Sequence, residues 1–400
     1  MRQSTTLSHL KSTPVYTIAG LFLGTRLLLV IATYISFILF SLPPHVYSAP
    51  PPWKMNFFSV WDHWDAAFYV HIAQYGYQNT TGFHDPAFFP LFPLLIKVVA
   101  LLFGNQSFPL AAMLVSNLAL FGSLYMLYQI ATDALGKEVG WRTIVYLCLF
   151  PTAFFFFAGY NESLFLFFSS STLFALRRQK WVLAGILGCL AALTRSAGAL
   201  LVFPYLYELW MARDESQPGV LNQLKVLIFK VLPIALIPMG TLLYSLYCWK
   251  YFGDPLAFAT VQKYWMRTFT PPWVGIFDAF VQLFYVQPFG TFTEVHILID
   301  LSATLGFIAL ALFGWRRLRF SYTVWIGILL LYLLSNSAVL SPDSDILASN
   351  QRFVLEMFPG FITLAALGVK RPRLHQMVIV LFPFLQAILA SLFVLNRWIV

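Results

Sequence analysis

An all-α bundle of membrane-spanning helices is the fold class that this sequence predicts, and three observations predict it. Of its 400 residues 59% are hydrophobic and only 10% charged, where a soluble domain carries about 25% charge. Mean hydropathy is +0.74, and apolar runs of near-spanning length recur down the chain. Between them the basic residues gather in short clusters: Arg2/Lys11, Lys137/Arg142, Arg177-Arg178-Gln179-Lys180, Arg316-Arg317-Leu318-Arg319 and Lys370-Arg371-Pro372-Arg373. Clusters of this kind orient spans, and the positive-inside rule puts all five in the cytoplasm. They form no stripe, so the net charge of +9 marks membrane topology and not a nucleic-acid partner. No soluble domain, low-complexity tract or internal repeat stands out, so residues 1–400 read as one polytopic transmembrane domain.

The elements follow in order from charge parity. The first apolar run, Val15–Phe40, is too long for a cleavable signal and reads as a signal anchor. It carries the chain outward, so residues 41–109 form a first outer loop. Within that loop, 87–103 opens with "AFFPLFP"; Pro90 and Pro93 disrupt helical bonding, and a crossing there would leave Lys137/Arg142 outside. It is expected as an interfacial or re-entrant helix. Residues 110–133 then span. The turn "AGYNES" lies outside, and Glu162 opens the next span. Arg177–Lys180 and Arg213/Lys225 both lie inside, so 181–208 must cross twice or not at all. Two short helices meeting near Thr194-Arg195-Ser196 satisfy this and hold Arg195 at the outer side or in a polar cavity. A second outer loop covers 250–295 and a short third one 341–352, after which Arg352 and Glu356 open a span. The total is about eleven spans plus the helices of the first outer loop. Cys148, Cys189 and Cys248 lie in apolar runs without metal or disulfide spacing and read as small buried apolar residues.

On this topology the unusual polar residues converge on the outer side. Each charge in a bilayer costs about 2.5–3.5 kcal/mol on insertion scales, so intramembrane ionisable residues are functional candidates by default. Asp65 sits among aromatics in "HWDAAFYVHIAQYGY"; helical spacing puts Trp61, Asp65 and Phe68 on neighbouring positions, and a carboxylate held there can act as a base. Asp62, one turn away, assists it or caps the helix start. Arg195 reads as a phosphate ligand or a snorkelling residue. Arg352 and Glu356 form an i,i+4 pair of opposite sign, Glu162 is a helix-start acid or a site residue, and His84 and Asp85 are turn residues or support. Lys263 and Arg267 in the second outer loop face lipid headgroups or a phosphoryl group. Asn79-Thr80-Thr81, Asn105-Gln106-Ser107 and Asn161-Glu162-Ser163 match the short glycosylation pattern. There is no Walker motif, dinucleotide fingerprint or His-rich zinc pattern; a membrane glycosyl transferase without a nucleotide motif should use a lipid-linked donor.

Four segments resemble the PIG-V family of mannosyltransferases, of the GT-C class of integral membrane glycosyltransferases. They are "WDAAFYVHIAQYGY" (64–77), "AFFPLFPLL" (87–95), "PTAFFFFAGYNESLF" (151–165) with "LTRSAGALL" (193–201), and "SNQRFVLEMFPGF" (349–361). The resemblance implies a GT-C bundle that transfers mannose, with inversion, from a polyprenyl or dolichyl phosphate donor to a lipid-linked or glycan acceptor on the extracytoplasmic face. It implies a catalytic base in the first outer loop, which lands on Asp65 in Trp64-Asp65-Ala66. Arg195 and Arg352 are then the candidates for the donor phosphate, with Lys263 or Arg267 as helpers and Asp62, His84, Asp85, Glu162 and Glu356 in support. Phosphate leaves readily, so neither a metal nor another cofactor is expected. Two departures, His63 where the family commonly has Arg and Arg352-Phe353 where it often has Arg-Tyr, bear on the acceptor. Eukaryotic members add the second mannose of the GPI anchor precursor. The short chain suggests a bacterial homologue in the plasma membrane; a eukaryotic one would lie in the endoplasmic reticulum. The competing readings are a GT-C enzyme using another lipid-linked sugar and a lipid-linked sugar flippase or transporter.

Overall fold

A computed structural model describes residues 15–40, 57–78, 84–105, 107–213, 225–286, 290–338 and 346–397. The Arg2/Lys11 cluster, the Asn79 sequon and parts of the first and third outer loops lie outside these residues. The described chain is helical: α1 (Val15–Phe40), α2 (Asp65–Tyr75), α3 (Leu91–Leu102), α4 (Phe108–Leu135), α5 (Lys137–Leu149), α6 (Glu162–Arg177), α7 (Trp181–Thr194), α8 (Val202–Met211), α9 (Leu227–Phe252), α10 (Pro272–Val281), α11 (Phe292–Gly314), α12 (Phe320–Leu334), α13 (Phe358–Lys370) and α14 (Pro372–Val394). Five of them, α1, α4, α9, α11 and α14, are long and apolar enough to cross a bilayer unaided. A sixth crossing arises if the bent pair Asn350–Glu356 and α13, which meet at 83°, counts as one span.

Side-chain contacts fix two ends to the bundle. At one end, Arg178 on α6 pairs with Asp133 on α4 at 2.9 Å. There too Arg142 on α5 donates to the Gly368 carbonyl of α13, Tyr146 of α5 meets His375 of α14, and Arg319 before α12 clasps Glu208 of α8. At the other end lie Glu162, which opens α6, Arg195, which follows α7, and Phe393 of α14 against Trp61. Among the described residues the basic clusters gather at the first end, and Asp65, Glu162, Arg195, Arg352 and Glu356 at the second. The total of about eleven crossings expected from charge parity needs shorter helices as well. Several are short: α6 has 16 residues and α7 has 14, about 24 and 21 Å of helix, because the chain breaks at Pro151, Arg195 and Met357.

The helix α3 has 12 residues, about 18 Å, too short for a hydrocarbon core of about 30 Å. It buries Phe92, Ile96 and Ala100 against α2 and α4 and leaves Leu94, Val98, Leu101 and Leu102 exposed, the two-faced pattern of a helix lying flat. Its Pro93 falls in the first turn, where no helical N–H is missed. Gly198 explains the fold-back after Arg195: a Cβ there would stand 2.3 Å from the Ala191 carbonyl carbon, so only glycine lets residues 196–201 lie against α7.

Candidate active site

The turn Tyr160-Asn161-Glu162 organises the second end. Serine and asparagine of α4 hold it from below: Ser116 Oγ donates to the Tyr160 carbonyl and Asn117 Nδ2 to the Phe157 carbonyl. From there Tyr160 donates its hydroxyl to the His63 carbonyl at 3.1 Å, and Asn161 Nδ2 donates to the Thr194 carbonyl at 3.1 Å. One three-residue turn therefore fixes the chain just before Asp65 and just before Arg195. Asn161 is buried in doing so, which removes it as a glycan acceptor.

Five charged groups then interlock. Arg352 Nη1 donates to Asp65 Oδ2 at 2.7 Å, and its Nε lies 3.2 Å from Glu162 Oε1. Arg195 pairs with Glu356 and approaches Glu162 at 3.7 Å. Glu162, at 1% side-chain exposure, thus lies between two guanidiniums. Asp65 differs: its side chain is 27% exposed, against 1% for Glu162 and 5% for Glu356. Of the three carboxylates it is the one an incoming hydroxyl can reach.

These groups border a cavity of about 750 Å³ lined by Asp65, Arg195, Arg267, Arg352 and Glu356 among aromatic walls. Three of those cations surround one ring: Phe353 has Arg195, Arg352 and Arg267 at 4.4, 4.8 and 5.4 Å from its centroid. Arg267 donates to the Ala348 carbonyl at 2.8 Å and, among the described residues, has no carboxylate within ion-pair distance. Burial, with help from the Arg352 charge, pushes its guanidinium below the usual range. Trp64, Met266 and Ser349 all have positive φ (50°, 55° and 71°) and line the cavity, next to Asp65, next to Arg267 and three residues before Arg352. Left-handed backbone at non-glycine residues costs of order 1–3 kcal/mol and gathers at functional sites.

The other expected residues fall elsewhere. Asp62 neither caps α2 nor shares its face: the helix starts at Asp65 with Trp64 as its N-cap and no side-chain cap bond. Trp61, equally outside the helix, packs edge-on to Phe157 and against Phe393. Asp62 lies in an apolar recess with Phe58, Met113 and Pro109, its Oδ1 without a hydrogen-bond partner, and burial raises it to about 6. The Arg352–Glu356 pair does not form. The helical turn Asn350–Phe353 gives way to a tighter turn at Val354–Glu356, which swings Glu356 toward Arg195. His84 stacks on Tyr264 at 4.3 Å, and Asp85 accepts the Gln78 N–H at 2.7 Å; burial raises Asp85 above the usual carboxylate range. Both brace the loop beside the cavity. Lys263 does not line it: its ammonium lies over the Tyr264 ring at 5.8 Å. Sequence reasoning missed Asp300 on α11 and Arg26 on α1. Both are buried in otherwise apolar runs, the signal by which Glu162 was singled out.

The family model described as Mannosyltransferase (PIG-V) matches residues 41–287. A GPI alpha-1,6-mannosyltransferase 2 of Rattus norvegicus is 35% identical over 153 residues, which is 35% of this chain and 30% of that protein. The protein of the same name from Cricetulus griseus is 30% identical over 240 residues, 52% of this chain and 47% of its own length. The matches thus span less than half the length of these curated relatives. Among solved structures, ArnT from Cupriavidus metallidurans bound to undecaprenyl phosphate superposes with a TM-score of 0.51 at 13% identity, covering 92% of this chain and 63% of that one. Its apo form gives 0.50 at 14% identity with the same coverage. The fold is that of a GT-C integral membrane protein.

Proposed function

The chain belongs to the PIG-V mannosyltransferase family, and we propose that it transfers a mannosyl residue, with inversion, from a polyprenyl or dolichyl phosphate donor to a glycan or glycolipid acceptor. The observation that carries this reading is the cavity in which a reachable carboxylate, Asp65, stands with a half-buried cation, Arg267, that among the described residues has no carboxylate within ion-pair distance. Asp65 takes the proton of an acceptor hydroxyl. The oxygen attacks the anomeric carbon, the bond from that carbon to the phosphate oxygen breaks, and the lipid phosphate monoester leaves with the electron pair. A β-linked donor gives an α-linked product.

The leaving phosphate gains charge as the bond breaks, so preorganised cations lower the barrier by a few kcal/mol each. The assignment among them changes from what the sequence suggests. Arg195 and Arg352 are already matched by Glu356, Glu162 and Asp65, whereas Arg267 has, among the described residues, no carboxylate within ion-pair distance and gives its guanidinium to the Ala348 carbonyl. Arg267 is therefore the phosphate ligand, and Arg352 orients the base. Phosphate is a good enough leaving group that the step as written takes no metal.

The site lies at the end of the bundle opposite the basic clusters, and the positive-inside rule turns that end away from the cytoplasm. This supports action on the extracytoplasmic face, of the plasma membrane in a bacterium. A structure of the same fold holding undecaprenyl phosphate supports a lipid phosphate as donor. The test is transfer of labelled mannose from polyprenyl-phosphate mannose by the purified protein in detergent. Labelled glycolipid or glycan is the expected product; transport of the donor across vesicles without transfer would instead mark a flippase.

A further inference from the structure

Arg352 reaches Asp65 from a support that cannot hold itself. The helical turn Asn350–Phe353 has four residues, too few to be stable alone. Ser349 in the left-handed region precedes it and a bend of 83° follows. What fixes it is the backbone of Gln351, the residue just before Arg352, which is held on both sides. The Gln351 N–H donates to Asp300 Oδ1 at 2.6 Å, and the Gln351 carbonyl accepts from Thr152 Oγ1 at 2.6 Å. Next to it, Asn350 Nδ2 donates to Thr304 Oγ1 at 2.9 Å, and that hydroxyl donates to the Asp300 carbonyl at 2.7 Å. Asp300 and Thr304 are fully buried and Thr152 nearly so. None of the three lines the cavity. A carboxyl group buried on an apolar helix is expensive unless it is hydrogen-bonded, and Asp300 spends Oδ1 on the Gln351 N–H.

We propose that Asp300 and Thr152 are positioning residues of the transfer reaction: they clamp the Gln351 backbone from opposite sides and so set the Arg352 guanidinium against Asp65. The role rests on the mannosyl-transfer reading of the cavity. Misplacing a catalytic geometry by about 1 Å costs on the order of 100-fold in rate, so a clamp two bonds from Arg352 controls turnover without touching substrate.

The test uses the full chain in detergent, as wild type, Thr152→Val, Asp300→Asn and Asp300→Ala, each also in an Arg352→Lys background. Two quantities are read: kcat and KM for polyprenyl-phosphate mannose, and hydrogen exchange across residues 349–356. Asp300→Ala should lower kcat about 100-fold and Thr152→Val about 10-fold, with KM moving less than about threefold. Asp300→Asn, which keeps an acceptor oxygen, should recover most of the loss. In the Arg352→Lys background Thr152→Val should cost less than about twofold, because coupled residues are not additive. Thr152→Val keeps the side-chain shape, so it reads the clamp even if Asp300→Ala fails to accumulate. Full kcat in Thr152→Val, or the same loss in both backgrounds, would overturn the role. Wild-type protein that transfers no mannose while 349–356 stays protected from exchange would overturn the underlying reading, and the role with it.

Discussion

The two ends of the bundle use the same chemistry for different purposes. At the basic end, two arginine–carboxylate pairs are at least partly open, Arg178 and Asp133 at 51% and 28% exposed and Arg142 and Glu138 at 19% and 62%, and in the third Arg319 is 43% exposed over a buried Glu208. At the cavity end Arg352 is 8% exposed and its partner Glu162 1%. Exposed pairs are worth about 0–1 kcal/mol. Breaking a buried pair by removing one partner costs about 3–5 kcal/mol, because a charge is left stranded. The residue types are the same at the two ends; what differs is that at the cavity end both members of a pair are buried. At one end the charges mark the orientation of the chain; at the other they fix each other's positions around the cavity that Asp65, Arg195, Arg267, Arg352 and Glu356 line.

Four substitutions would break or sharpen this contrast. The largest effect belongs to Asp65→Asn, which should lower kcat about 10²–10⁴-fold, the usual worth of a general base. Asp62→Asn, three residues earlier, should leave transfer within about twofold, and equal losses in the two would refute the assignment. Next, Arg195→Ala should destabilise the protein by about 3–5 kcal/mol, read as a lowered melting temperature in detergent, whereas Arg178→Ala should cost less than about 1 kcal/mol. Third, Phe353→Leu removes the ring shared by three guanidiniums. At about 0.5–2 kcal/mol per contact, kcat/KM should fall roughly tenfold. Phe174→Leu, under Arg178 at 5.0 Å at the basic end, should change nothing measurable.

The smallest effect concerns pH. Burial raises Asp62 to about 6 from an ordinary 3.8, so folding disfavours its ionised form. The cost is present above about pH 6, shrinks as pH falls toward 4 and is absent below both values. Asp62→Asn should therefore raise the melting temperature by a few degrees at pH 7.5 and leave it unchanged at pH 3.5. A gain that persists at the lower pH would contradict burial as the cause.

Much of this contrast was legible in the sequence, and the rest was not, for a physical reason. Buried charges are rare in an apolar chain, so Asp65, Glu162, Arg195, Arg352 and Glu356 announced themselves by their surroundings. The break at Arg195 followed from charge parity and the short α3 from its prolines. Who pairs with whom was hidden, because it depends on where helices end. Arg352 and Glu356 sit four apart, but the turn tightens after Phe353, and Glu356 goes to Arg195 instead. Asp62 looked like a cap until α2 began three residues later. In the sequence Arg267 and Lys263 share an outer loop, and only the fold separates the two: Arg267 lines the cavity and Lys263 does not. Asp300 was legible by the same rule as Glu162.

The most direct measurement is the affinity for a polyprenyl phosphate, the lipid released by the reaction, in wild type, Arg267→Gln and Arg178→Gln. A hydrogen-bonded charge pair lost from a buried site costs about 2–5 kcal/mol. Arg267→Gln should accordingly bind at least about 30-fold more weakly, while Arg178→Gln binds as wild type. Undiminished affinity in Arg267→Gln would contradict the account.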